Sequence, residues 1–109
     1  MYVADWITVG HYTFKPNAVT VNDIVDGVPQ FGIVVLILSV EKQLYFIEEL
    51  LETIHYDEHF HAYAVKHFAS KRLSCVHLKS LRDHVPYQLH MVTYEQTQHN
   101  LVMLRYCLV

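Results

Sequence analysis

The densest group of side chains that could do chemistry lies between His55 and His61, in the sequence HYDEHFH. In an extended strand His59 and His61 would point to the same side, as a pair of metal-binding histidines requires. A zinc site needs at least a third protein ligand, and Glu58 would face away from these two. His55 and His59 would share a face only in a helix. The sequence therefore offers His59 and His61 as weak metal candidates, and we predict no cofactor.

Nucleophilic or acid–base catalysis finds little support in the remaining residues. Cys75 and His77 would share a face of an extended strand, but the surrounding apolar alternation predicts that Cys75 is buried and unreactive. Cys107 adds no metal-binding spacing. Glu48 and Glu49 are adjacent, so they diverge in any regular structure, and we expect a solvated pair. The sequence thus predicts no catalytic residue.

Aromatic side chains allow a binding function instead. An aromatic cage holds a methylated lysine by cation–π contact, and an acidic neighbour suits that ligand. Aromatic residues at strand spacing are more often part of a core, so the cage is an alternative hypothesis. The candidate ligand-binding residues are Trp6, Tyr12, Tyr56, Asp57 and Tyr63.

Composition limits the class of protein. Hydrophobic residues make up 52% and charged residues 17% of the 109 residues, which excludes a disordered chain. The net charge of −3 and the lack of a Lys/Arg run argue against nucleic-acid binding. The longest apolar run covers about half of a bilayer, and the first residues lack the basic start of a signal peptide. We therefore predict a histidine-rich intracellular protein without a membrane segment, whose weakly charged surface favours a protein partner or self-association.

The apolar run VPQFGIVVLILSV, residues 28–40, predicts a central strand with both faces covered. Asp26-Gly27 before it indicates a hairpin turn, and Gly32 inside it indicates a bulge or bend. Alternating segments elsewhere predict seven or eight short strands in a small barrel, an all-β domain spanning 1–109. Residues 79–86 are predicted as a loop or helical turn, 95–100 as a polar connection, and 101–109 as a last strand.

The segment 41–55 allows two interpretations. Leu44, Ile47, Leu51 and Ile54 recur at helical spacing, so an α+β fold with a helix near 41–55 is the alternative. The aromatic and β-branched residues of the same segment favour strand. We expect strands on both sides of a turn at 56–59.

One ordered set of short motifs covers nearly the whole chain: Trp6, Tyr12, Pro29-Gln30-Phe31-Gly32, Thr53, His59-Phe60-His61-Ala62-Tyr63, Leu81-Arg82-Asp83-His84-Val85-Pro86 and Leu104-Arg105-Tyr106. This set resembles an uncharacterised β-rich domain near the C-terminus of multi-copy, transposon-associated predicted animal proteins. The resemblance implies a domain of unassigned activity, usually part of a longer polypeptide, with an SH3-like or bromo-adjacent type of barrel. It brings no catalytic residues.

These observations together predict a non-catalytic protein-interaction or assembly module. The alternatives are a methyl-lysine reader with an aromatic cage, and a histidine-based metal-binding domain or enzyme.

Overall fold

The computed structural model describes residues 1–104 of the chain, apart from the side chain of His84. The described residues form eleven strands and one 3₁₀ turn at Leu78–Ser80. In chain order the strands are β1 (Tyr2–Ala4), β2 (Ile7–Val9), β3 (Tyr12–Phe14), β4 (Val19–Val25), β5 (Val28–Val40), β6 (Gln43–Asp57), β7 (Ala62–His67), β8 (Leu73–His77), β9 (Asp83–Tyr87), β10 (Leu89–Tyr94) and β11 (Thr97–Val102).

The two long strands β5 and β6 organise the molecule. They pair antiparallel from their connecting turn as far as the Gly32–Leu50 pair. Beyond this pair they separate, because β5 continues along β4 whereas β6 continues along β7. The hydroxyl of Thr53 on β6 donates to the carbonyl oxygen of Pro29 on β5 at 2.8 Å, which ties the separated ends together.

One half of the molecule, the barrel half, is a curled sheet in the order β10-β11-β7-β6-β5-β4-β9. Its two outer strands, β9 and β10, are joined through the single residue Gln88, so the sheet curls back on itself. The strands of this half enclose a core of Val19, Val21, Phe31, Leu51, Val65, Val85, Tyr87 and Val102.

The other half, the sandwich half, has four strands in the order β1-β5-β6-β8. The β2–β3 hairpin packs against one face of these strands. The core between the two layers consists of Phe14, Val34, Ile37, Phe46 and Leu81. The two halves together confirm an all-β, barrel-like fold.

The alternative helix near 41–55 is wrong, because β6 runs without interruption from Gln43 to Asp57. Alternation along β6 turns Phe46 and Glu48 to the core and Tyr45 and Ile47 to the other side. A helix would have suited the glutamates of this segment, which are good helix formers. The strand instead pairs with β5, β7 and β8 and buries Phe46 completely, and these tertiary gains outweigh propensity.

The expected bulge at Gly32 is also wrong, while the alternative of a bend there stays a prediction. Gly32 pairs regularly with Thr20 and Leu50. The register shifts lie elsewhere: between Val21 and Asp23, between Val34 and Leu36, and between Thr53 and His55. The bulge in β5 also leaves Val35 and Leu36 exposed, so the central strand is not covered on both faces.

Three hairpin turns have two central residues at positive φ, the conformation that suits the twist of a hairpin. Asp26-Gly27, with φ of 52° and 78°, is the turn that the sequence predicts. Glu41-Lys42 and Glu95-Gln96 adopt the same conformation without glycine or asparagine, with φ between 50° and 67°. The turn at 95–96 joins β10 to β11, so the predicted polar connection 95–100 is wrong and the strand count exceeds seven or eight among the described residues.

Residues 79–86 form less loop than predicted. After the 3₁₀ turn, β9 begins at Asp83 and includes Pro86. β9 pairs with β4, and it forms one outer strand of the sheet, where a proline removes no ladder donor that the sheet needs. Of the predicted last strand 101–109, Leu101 and Val102 belong to β11, while 105–109 with Cys107 lie outside the described residues. Among residues 1–104 no helix has the length and apolar character needed to cross a membrane.

Candidate functional site

The structure brings together two of the four aromatic residues predicted for a cage. Tyr56 and Tyr63 are partners across β6 and β7, with ring centroids 5.0 Å apart and an edge-on arrangement. The ring centroid of Tyr63 also lies 5.9 Å from that of Phe31 in the barrel core. Trp6, 62% exposed, lies between β1 and β2, and Tyr12 on β3 packs against both cores. The cage formed by all of these residues stays a prediction.

Asp57 has a structural role at the end of β6. Its Oδ1 accepts hydrogen bonds from the backbone amides of His59 at 2.9 Å and Phe60 at 3.2 Å. This arrangement closes the turn between β6 and β7. His59 and His61 lie in that turn, and His61 has φ of 51°, so the extended geometry of a two-histidine metal arm is not formed. No group of three or more His, Cys, Asp or Glu residues among the described residues could hold a metal ion.

The rings at this turn form an aromatic cluster that covers a small apolar patch. The ring of His59 lies 4.7 Å from those of Phe60 and Tyr94, and Phe60 lies 5.9 Å from His99. Phe60 packs over the buried residues of β7 and β11, Ala62, Ala64 and Leu101. These contacts explain His59 as a packing residue of the turn.

A second, larger surface lies on the sandwich half, on the side opposite the β2–β3 hairpin. Residues directly opposite one another in adjacent antiparallel strands point to the same side. One row of such partners is Leu36–Ile47–Cys75, and the next row is Val3–Leu38–Tyr45–His77. Leu73 lies opposite Glu49 at one end. We call this surface the outer face: Val3, Leu36, Leu38, Tyr45, Ile47, Leu73, Cys75 and His77.

The outer face is apolar and open. Val3 is 61%, Leu36 42% and Leu73 59% exposed, although large apolar side chains normally avoid water. Cys75 is exposed as well, so the prediction of a buried cysteine is wrong. The reason is that the alternation of β8 turns Val76, not Cys75, to the core.

Polar groups border the outer face at its two ends. At one end the His77 Nε2 lies 2.8 Å from the Gln43 Oε1, and the His77 ring stands edge-on to Tyr45 at 4.9 Å. At the other end the Glu49 Oε2 lies 2.7 Å from the His67 Nδ1. The rows between these ends contain no charged residue. In the sequence, apolar residues two positions apart on β5, β6 and β8 indicate this face.

The core of the sandwich half contains a carboxyl group that the sequence did not reveal. Glu48, expected to be solvated, is 0% exposed, and so is its neighbour Thr20. The Thr20 Oγ1 lies 2.6 Å from the Glu48 Oε2 and 2.9 Å from the Asn22 Oδ1. A side chain at Gly32 would overlap the Glu48 Oε1, so the absence of a Cβ at position 32 provides the space that the carboxyl group occupies.

Burial determines the ionisation of Glu48. Loss of solvation raises its pKa above 4.5, and the hydrogen bonds from Thr20 and Asn22 lower the pKa by less. The Asn22 amide faces the carboxyl group, but the Glu48 Oε1 has no hydrogen bond of regular geometry. The loss of solvation therefore has the larger effect, and the pKa of Glu48 is raised.

A groove of about 690 Å³ lies near the corner between β9 and β10. Ile33, Leu89 and Leu104 are among its apolar lining residues, and Lys15 and His90 are its basic ones. No acid or thiol belongs to its described lining. The groove thus shows neither a paired acid and base nor a nucleophile with a base beside it.

No protein-family model matches this chain, and comparisons with curated proteins and with solved structures also find no match. The resemblance to the transposon-associated domain therefore stays a prediction.

Proposed function

We propose that this chain is a non-catalytic assembly module that binds a second copy of itself through the outer face. The observation that supports this proposal is the exposed apolar surface of β1, β5, β6 and β8, since contiguous apolar patches commonly mark interaction sites. Its interior rows have no charge that would select a charged partner. A protein of this kind needs no cofactor.

A two-fold axis explains why the occupant is a second copy. In an isologous interface each residue meets its symmetry partner across the axis. If the axis runs across the strands along the row Leu36–Ile47–Cys75, each of these residues faces its own counterpart. The same rotation places His77 of one copy near Glu49 of the other, so an imidazole meets a carboxylate at both ends. The polar borders are thus complementary only when the two copies are antiparallel.

The size of the outer face predicts a weak complex. Four strands about 4.8 Å apart and rows spanning about five residues give a flat area on the order of 300 Å². A standard interface buries about 800 Å² on each partner. We therefore expect a dissociation constant in the micromolar range or weaker, with dimers at high protein concentration.

Replacing Leu36 with lysine is the test of this function. The substitution places two like charges against each other on the proposed axis, so the dimer should be lost while the exposed side chain leaves folding intact. The measurement is the mass from light scattering over a concentration series. The wild-type mass should rise toward twice 12.8 kDa, and the Leu36→Lys mass should stay at 12.8 kDa.

The matched control is Ile54→Lys. Ile54 lies on β6, is 52% exposed, and lies in the barrel half away from the outer face. This variant should associate like the wild type. A wild-type chain that stays monomeric at every concentration would contradict the proposal, and so would equal weakening by both substitutions.

A further inference from the structure

We propose that the native protein keeps one proton on Glu48 at pH values where exposed glutamates have lost theirs, and that loss of this proton weakens the junction where β5 and β6 separate. This inference is independent of the proposed dimer, because Glu48 faces the interior of one copy, on the side of β6 opposite the outer face.

The hydrogen-bond geometry supports a neutral acid. Thr20 has one hydroxyl hydrogen, but two oxygen atoms lie within bonding distance of its Oγ1: the Glu48 Oε2 at 2.6 Å and the Asn22 Oδ1 at 2.9 Å. With a carboxylate, one of these two contacts would lack a hydrogen. With a carboxylic acid, Glu48 donates to Thr20 and Thr20 donates to Asn22, so each contact has its own hydrogen. With the Asn22 Oδ1 directed at Thr20, as in this structure, a complete chain of donors places the proton on Glu48.

The charged groups on the surrounding elements do not compensate a carboxylate at this position. On β4, Asp23 is exposed. On β9, the Asp83 Oδ2 accepts a hydrogen bond from the Tyr87 hydroxyl at 2.5 Å.

The strands β8 and β6 also bring no charge to Glu48. On β8 its register partner is the uncharged Ser74, and on β6 the neighbouring Glu49 faces the other side, toward His67. Tyr12 of β3 reaches both cores. The basic residues that flank these elements are all exposed: Lys15, Lys42, Arg72, Lys79 and Arg82. The pKa of Glu48 is raised by burial and lowered to a smaller extent by the Thr20 and Asn22 hydrogen bonds.

The position of Glu48 explains why its ionisation would affect the whole fold. Glu48 pairs with Val34, and Thr20 pairs with Gly32, so the network links β4, β5 and β6 next to the last β5–β6 pair. The core residues Phe31 and Val34, on either side of Gly32, belong to the barrel half and the sandwich half. A charge placed here lies between the two cores, and no cation among the described side chains stabilises it.

The direction of the pH effect follows from the raised pKa. The unfolded chain releases the Glu48 proton near its ordinary pKa of 4.5, whereas the native chain releases it only at higher pH. The contribution of the buried acid is therefore fully present below the unfolded pKa and is lost as pH rises toward the native pKa. Between the two pKa values the unfolding constant should rise by up to about tenfold for each pH unit.

The test compares wild type with Glu48→Gln, in urea unfolding between about pH 5 and pH 9. The glutamine amide can donate to Thr20 without carrying a charge, so the variant should lose the fall in stability that the wild type shows with rising pH. Glu58→Gln, which neutralises an exposed acid of the turn between β6 and β7, is the control and should keep the wild-type slope. The nine histidines are present in all three chains, so their titration cancels in the comparison.

Carboxyl-carbon NMR of the wild-type protein provides a measurement that does not depend on the folding of a variant. The Glu48 signal should retain the shift of a protonated acid at pH values where the other glutamates have titrated. A Glu48 signal that titrates together with the exposed glutamates would overturn the proposal. Equal pH slopes for wild type and Glu48→Gln would overturn it as well.

Discussion

Replacing Phe46 with alanine is expected to lower the free energy of unfolding by about 3–5 kcal/mol. The ring of Phe46 is 0% exposed and lies 5.4 Å from the ring of Phe14 on the hairpin that covers the sandwich half. Its removal leaves a cavity between the two layers and breaks the contact that fixes the hairpin. Small domains are stable by roughly 5–15 kcal/mol in total, so the variant should be close to unfolding. Urea denaturation measures the loss.

The matched control for this substitution is Phe68→Ala. Phe68 is half-buried after β7, where the Arg72 guanidinium lies 4.2 Å from its ring centre. It belongs neither to the two cores nor to the small apolar patch under Phe60. Its replacement should cost clearly less than that of Phe46. If the two variants lost similar stability, the packing of β2–β3 on Phe46 would not be the main support of the sandwich half.

Replacing Gly32 with alanine is expected to cost about 1–3 kcal/mol or more, the usual penalty of overpacking. The added methyl group would overlap the Glu48 Oε1 and lie 2.9 Å from the Asn22 Nδ2. Because Thr20 hydrogen-bonds to the Glu48 Oε2 and to the Asn22 Oδ1, neither side chain can move away without disturbing one of these bonds. Thermal unfolding measures the shift in melting temperature.

The second substitution Glu48→Ala identifies the cause of that penalty. Removing the carboxyl group makes room for a methyl group at position 32, so Gly32→Ala should cost much less in a Glu48→Ala background. A cost that is the same in both backgrounds would mean that Gly32 is needed for its backbone and not for the space above it.

The parts of the fold that local patterns determine were predictable from the sequence. The β-branched run 28–40 forms β5, and Asp26-Gly27 forms the turn before it, since this dipeptide adopts positive φ at low cost. The turns Glu41-Lys42 and Glu95-Gln96 have no such signature. Their conformation is imposed by the pairing of the strands they connect, which no local window contains.

The buried glutamate and the outer face differ in how far they could be foreseen. Glu48 is a good helix former between apolar residues, and its burial depends on Thr20 and Gly32, which lie 28 and 16 positions away in the sequence. Tertiary contacts of this kind leave no periodic signal. In contrast, the apolar pairs on β6 and β8 show which side of each strand is apolar. They do not show that the side with Ile47 and Cys75 stays uncovered, because that depends on where the β2–β3 hairpin packs.

Oxidative cross-linking at Cys75 tests most directly whether two copies pair through the outer face. Cys75 is exposed, and on the proposed axis it faces Cys75 of the second copy. The experiment uses an added oxidant and a Cys107→Ser background, so that Cys75 is the one cysteine that can form the link. We predict a disulfide-linked dimer that forms faster at higher protein concentration and is lost in Leu36→Lys but retained in Ile54→Lys. Failure to form the dimer, or formation at the same rate in Leu36→Lys, would contradict pairing through this face.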